Sequence, residues 1–242
     1  MSRYDWKRFT ELSDINYKKA RDSGDTNEIM DHNILKGGMH ELSFIETLCK
    51  AYFHKNIRKG KALDIACGIG YMSKCLADKG HSVVGFDMNH DAIAIANDTY
   101  PYIDFFVSDA STPTKLITSN KYDLVVAREV HCFSRIKDEI YQENLVSMYL
   151  DLLLPGGVLV IAHSRHGADT NYPSISFRSL NKILDQDKYL TAGPYYIFLF
   201  KHLRLNIFPP TRILIATQSF LTKILAIFTG RRWIEFFMIY KQ

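Results

Sequence analysis

Lys61-Ala-Leu-Asp-Ile-Ala-Cys-Gly-Ile-Gly-Tyr71 runs a short apolar strand into an acid, Asp64, and then into a loop of small residues from Ala66 to Gly70. A helical pattern follows at once, with Met72, Cys75 and Leu76 on one face and Gly80 as its stop. Small residues at such a turn let backbone N–H groups approach a ligand closely. The acid narrows the choice of ligand. A carboxylate repels a pyrophosphate but suits an ammonium or a sulfonium. The dinucleotide fingerprint Gly-x-Gly-x-x-Gly also fails here, because Ser73 stands where its third glycine belongs.

The same logic continues downstream. His81 to Asp87 reads as a second strand that ends in an acid, 17 residues after Gly70. In a doubly wound fold an acid at that place accepts hydrogen bonds from ribose hydroxyls, so it marks a nucleoside without choosing the cofactor. Asp91 to Asp98 looks helical. Ile103 to Ala110 is a third strand with Asp109 near its end, Tyr122 to Glu129 is a fourth, and Leu152 to His163 holds a helix end, a Pro-Gly-Gly turn and a fifth strand.

Asp64-x-Ala66-x-Gly68-x-Gly70 resembles motif I of the class I S-adenosylmethionine (SAM) methyltransferases, acid-x-Gly-x-Gly-x-Gly, with Ala66 as the single departure. The acids Asp87 and Asp109 and the Leu-Leu-Pro-Gly-Gly-x-Leu segment follow in the family's order. The resemblance implies an α/β fold: a Rossmann-like, doubly wound, mostly parallel seven-stranded sheet, helices on both faces, and a C-terminal helical insertion before the last strand. It also implies the cofactor SAM. On that template Asp64 lies near the methionine ammonium, and Ala66, Gly68 and Gly70 line the methionine and ribose. Asp87 takes the ribose hydroxyls and Met88 packs on the adenine. Asp109 and Ala110 meet the adenine edge, while Arg128 and Glu129 lie under the methionine portion.

The length of 242 residues fits one domain, and the hydrophobic content of 47% can fill a core. We expect a helical cap over residues 1–55, a SAM-binding core over 61–163, and a substrate-side, basic and apolar segment over 164–242. Met39 to Phe53 is a helical pattern, preceded by a polar stretch over residues 1–38. In the family such a stretch often folds over the cofactor. The four cysteines have no paired spacing, and the first residues lack an apolar signal core, so a cytoplasmic protein with reduced thiols is expected.

The C-terminal part departs from a plain example. From Lys188 to Ile234 there are seven basic residues and no acid, although the whole chain is only +4. Tyr195 to Phe200 reads as a sixth strand, Arg212 to Thr229 as a helix, and Trp233 to Tyr240 as a reversed seventh strand. The helix shows a wide apolar face and a narrower polar one marked by Arg212, Ser219, Thr222 and Lys223. It is too short and too interrupted to span a bilayer. It reads as a cap over the substrate site or as an amphipathic helix in a membrane interface, giving membrane-surface contact through 195–233. Nucleic acid is not an expected partner, since the basic residues are interleaved with bulky aliphatics. No Asn-Pro-Pro-Tyr-type motif follows strand four.

Methyl transfer from a sulfonium is an in-line displacement in which the protein chiefly positions the acceptor about 3 Å from the methyl group. A base helps when that acceptor is a hydroxyl. His131, after strand four, is the first catalytic candidate, in a segment similar to one in quinone-biosynthesis methyltransferases. His163, at the end of strand five, is the second. His163 and His166 form a His-x-x-His pair, but no third ligand pattern accompanies it and no metal is expected. Tyr17, Tyr172, Tyr195 and Tyr196 could shape an acceptor pocket, or serve as core and edge aromatics. The favoured activity is methyl transfer from SAM to a hydroxyl oxygen of a small-molecule acceptor, with a lipid-like or anionic compound as the candidate. A non-catalytic module on the same fold and a nicotinamide-dependent reductase are the alternatives.

Overall fold

The computed structural model describes residues 6–26, 29, 32–134, 136, 138–165, 180–182, 184–196, 212–229 and 233–242. Seven strands form one sheet in the order β3-β2-β1-β4-β5-β7-β6: β1 (Lys61–Ile65), β2 (Ser82–Asp87), β3 (Asp104–Val107), β4 (Tyr122–Arg128), β5 (Leu153–Arg165), β6 (Tyr189–Tyr196) and β7 (Trp233–Lys241). β1 to β5 pair in parallel, and β7 runs antiparallel to both neighbours. The strand order turns back between β1 and β4, which opens a crevice at their carboxyl ends.

Each central strand is buried on both faces, as the unbroken apolar run Leu124 to Ala127 requires. Alternate residues feed two cores. Ala62, Leu124, Val126, Val158 and Phe236 pack towards α2 (His32–Phe53) and α3 (Tyr71–Asp78). Leu63, Val125, Leu159 and Phe237 pack towards the side chains of α7 (Glu139–Asp151). The other elements named as helices among the described residues are α1 (Trp6–Ser23), α4 (His90–Thr99), α5 (Lys115–Thr118), α6 (His131–Ser134) and α8 (Arg212–Thr229). Asn89 caps α4 by accepting from the Ala92 amide at 2.8 Å, which fixes the turn after β2.

Three expectations need correction. The helix read from Met39 begins earlier: α2 starts at His32 and carries Gly37 and Gly38 inside it, after α1 in the polar stretch. Two glycines weaken a helix locally, but packing of the long apolar face that follows overrides that penalty. The sixth strand lies earlier than expected, at Tyr189–Tyr196, and residues 197–200 fall outside the described residues. Its register against β7 slips between Ala192 and Tyr195, around Pro194, which has no N–H to give the ladder. Finally, α8 is turned over: Ser219 and Thr222, expected on its outer polar face, are buried, whereas Ile213, Phe220, Leu221 and Phe228 are exposed. Residues 180–182 are helical.

Candidate functional site

The turn after β1 is held in a shape that most side chains resist. Ala66, Gly68 and Gly70 all have positive φ, at 53°, 54° and 84°. Hydrogen bonds set this shape: the Cys67 amide donates to the Phe86 carbonyl at 2.9 Å, and the Gly70 amide to the Cys67 carbonyl at 2.9 Å. The Gly68 amide donates to Asp87 Oδ2 at 3.0 Å, and the Asn89 amide to Asp87 Oδ1 at 2.9 Å. The acid ending β2 therefore clasps the loop that follows β1. A carboxylate offers about four acceptor sites, so Asp87 can serve this backbone and a diol together.

Asp64 is buried, on the β1 face towards α3, and Ser73 Oγ donates to its Oδ2 at 2.6 Å. The residue that breaks the dinucleotide fingerprint thus holds the acid. A third glycine in that fingerprint serves close helix–strand packing. Here the space comes from Gly85, the β2 partner of Asp64, where a Cβ would lie 2.9 Å from Ser73 Oγ and 2.7 Å from the Phe105 ring. The nicotinamide alternative loses its ground at the same residue.

Further along the crevice, Met88 is 57% exposed, so it is not core and presents an apolar surface beside Asp87. Asp109 lies beyond β3 and is exposed, with Oδ1 accepting from the Ser111 amide at 2.7 Å and Ser111 Oγ at 2.8 Å. The Ala110 carbonyl is fixed by the Tyr149 hydroxyl at 2.7 Å. At the end of β4, Glu129 has φ 56° and its amide donates to the Ala162 carbonyl at 2.8 Å. Arg128 points to the α2 side, where Glu41 grips it through two bonds, Nε to Oε2 at 2.7 Å and an amino nitrogen to Oε1 at 3.1 Å. Sequence reasoning missed Glu41, although it stands four residues before Ile45 in register with the apolar stripe of α2.

The N-terminal segment reaches this same edge. Asn89 Nδ2 donates to Asp14 at 2.6 Å, Arg21 pairs with Asp91 at 2.7 Å, and Thr26 and Tyr71 hydroxyls lie 3.2 Å apart. Residues 14–26 therefore sit against the ends of β2 and the start of α3.

The two histidines part company. His131 opens α6 directly after β4 and is partly exposed. His163 neither ends its strand nor faces an open crevice: β5 continues to Arg165, and the ring is buried with Nε2 3.2 Å from Glu235 on β7. Strand alternation turns it into the sheet face occupied by Phe237, 5.4 Å away between ring centroids. Burial pushes the Cys132 thiol beside His131 up to about 12, which removes it as a nucleophile at neutral pH. Tyr195 stacks on Tyr52 at 4.7 Å and Tyr17 packs against the core, so these two are structural aromatics. Tyr172 and His166 lie outside the described residues, and the side chain of Tyr196 is not described. Among the described residues no three His, Cys, Asp or Glu side chains are grouped to hold a metal ion.

The strand ends thus bring together Asp64, Asp87, Asp109 and Glu129, with the charge of Arg128 matched by Glu41. That set suits a cationic, hydroxyl-rich ligand and opposes a polyphosphate.

Comparison with known proteins points the same way. A family profile described as methyltransferase domain matches residues 39–211. The ubiquinone biosynthesis O-methyltransferase of Haemophilus ducreyi is 27% identical over 127 residues, covering 50% of each chain. The chain spans half or less of the length of the curated relatives it matches. Among solved structures, SAM-bound magnesium protoporphyrin IX methyltransferase from Synechocystis PCC 6803 superposes with TM-score 0.53 at 14% identity, over 94% of this chain and 97% of that one. Phosphoethanolamine N-methyltransferase 2 of Haemonchus contortus, also with SAM, gives 0.57 at 18% identity, over 91% of this chain and 59% of that one.

Proposed function

The chain belongs to the SAM-dependent methyltransferase family, and from that premise we propose that it methylates a hydroxyl oxygen of a small, lipid-like or anionic acceptor. The observation that supports the site assignment is the clasp of Asp87 on the Gly68 amide, which ties the acid proposed for the ribose to the loop proposed for the methionine. When bound, SAM supplies a methyl group already activated on a sulfonium. The chain's own residues then have positioning tasks. Asp64, fixed by Ser73, lies near the methionine ammonium, and Ala66, Gly68 and Gly70 admit the methionine and ribose. Asp87 accepts from the ribose hydroxyls, Met88 covers the adenine face, and Asp109 and Ala110 meet its edge. Arg128 and Glu129 form the floor under the methionine portion.

His131 is the proposed base: an imidazole nitrogen takes the acceptor's hydroxyl proton as oxygen attacks the methyl group. Its place after β4 and its partial exposure support this role over the buried His163. The relative named for ubiquinone biosynthesis and O-methylation supports an oxygen acceptor, and the basic, apolar C-terminal stretch supports a lipid-like or anionic one. Titration calorimetry with SAM tests the cofactor site. Asp87→Ala should abolish binding, and unchanged affinity would refute the assignment. With an acceptor in hand, His131→Ala should lower kcat about 100-fold or more while leaving SAM affinity unaltered; an unaltered pH–rate profile rejects the base.

A further inference from the structure

A surface helix normally buries its apolar stripe and shows its polar one. Helix α8 does the reverse. Ser219 and Thr222 turn inward with Ile215, while Ile213, Phe220 and Phe228 are 79%, 64% and 84% exposed, joined by Leu221. Steps of seven link Ile213 to Phe220 and Leu221 to Phe228, so the four form one face. The helix is anchored at its start: Arg212 donates to the Ala51 carbonyl at 3.1 Å and the Tyr52 carbonyl at 3.2 Å, closing the end of α2. Its other end leads to Trp233, paired with Arg165 at the carboxyl end of β5.

We propose that this outer face docks on an anionic lipid surface, with α8 lying in the plane of the interface and Ile213, Phe220, Leu221 and Phe228 at the acyl boundary. The sequence that carries the helix matches that occupant: residues 188–234 include seven basic residues and no acid. Each Lys or Arg near an anionic leaflet strengthens attachment. A second copy is the poorer occupant, since a two-fold contact would set one acid-free stretch against another. Insertion across the bilayer does not compete, because no helix among the described residues is long and apolar enough to cross a membrane. The docking does not rest on the lipid-like acceptor proposed above.

The test is flotation of the full chain with vesicles of phosphatidylcholine alone or mixed with phosphatidylglycerol, without SAM or turnover. Binding should appear with the anionic vesicles, weaken with salt, and fall about 100-fold in Phe220→Ser/Phe228→Ser. Both residues are exposed, so the variant should keep its melting temperature and SAM affinity. Should it fail to fold, Phe228→Trp replaces it: a blue shift in the added tryptophan's emission on anionic vesicles supports docking, and an unmoved spectrum opposes it. The proposal is overturned by absence of flotation, by flotation indifferent to the Phe pair, or by a dimer in sedimentation that the pair dissolves. Methyl transfer without flotation would refute the docking alone, and flotation without SAM binding would refute the site alone.

Discussion

Glu41→Ala probes how the N-terminal helix governs the crevice. Glu41 and Arg128 are 87 residues apart in sequence, and their side chains are only 7% and 13% exposed. Water can compensate little for the loss of one partner. Breaking a buried ion pair from one side costs about 3–5 kcal/mol, because the survivor stays buried with its charge mismatched. The partial exposure of Arg128 places the value at the low end, about 3 kcal/mol. For a chain of this size each kcal/mol moves the melting temperature by roughly 2–4 °C, so a drop of about 6–12 °C is expected. Scanning calorimetry of Glu41→Ala, Arg128→Met and the double variant measures it. The double variant should lose less than the two singles together, by about 1 kcal/mol or more, since it removes both charges. SAM affinity should fall in Glu41→Ala if Arg128 and Glu129 form the floor of the site. A single-variant drop below about 2 °C, or strict additivity, would refute the view that this pair couples α2 to β4.

Ser73→Ala should destabilise by about 1.5–3 kcal/mol, because a charge-assisted bond to buried Asp64 disappears, and should weaken SAM binding; Ser73→Gly should behave alike and gain no affinity for NAD, which calorimetry reads directly. Ala66→Gly should be neutral or stabilising by up to about 1 kcal/mol, since the left-handed backbone at Ala66 strains any side chain; a clear loss in denaturant unfolding would contradict that. His81 is buried, and burial first and the charge of Lys59 second lower its pKa from 6.5. The folded state refuses a proton that the unfolded chain accepts, so this stability is complete above the unfolded value and is lost as pH falls through it. His81→Asn should flatten the melting temperature below that point, and an unchanged acid limb would count against the burial.

What was readable in advance follows the range of the interactions. The turn from Asp64 to Gly70 depends on its own small residues, and β2, β4 and β7 on runs of apolar side chains, so local pattern disclosed them. The acids at the strand ends were legible because a parallel sheet sets strand ends side by side whatever fills the helices. Ser73 stood in view as a broken fingerprint, but its bond to Asp64 needs the packing of α3 on β1. Glu41 with Arg128, Glu235 with His163, and Asp14 with Asn89 each join segments at least 70 residues apart, and no spacing rule links such pairs.

Helix α8 shows the division most clearly. Its sequence by itself determined that a helix forms there with two unlike faces, because periodicity is local. Which face turns inward was decided only by the tertiary structure, through the anchor of Arg212 on α2 and the return of the chain at Trp233 into β7. The same holds for the chain as a whole. Short-range chemistry wrote a small-residue turn after an acid that can be read residue by residue. The packing of distant segments buried His163, left His131 partly exposed after β4, and turned an apolar face to the outside.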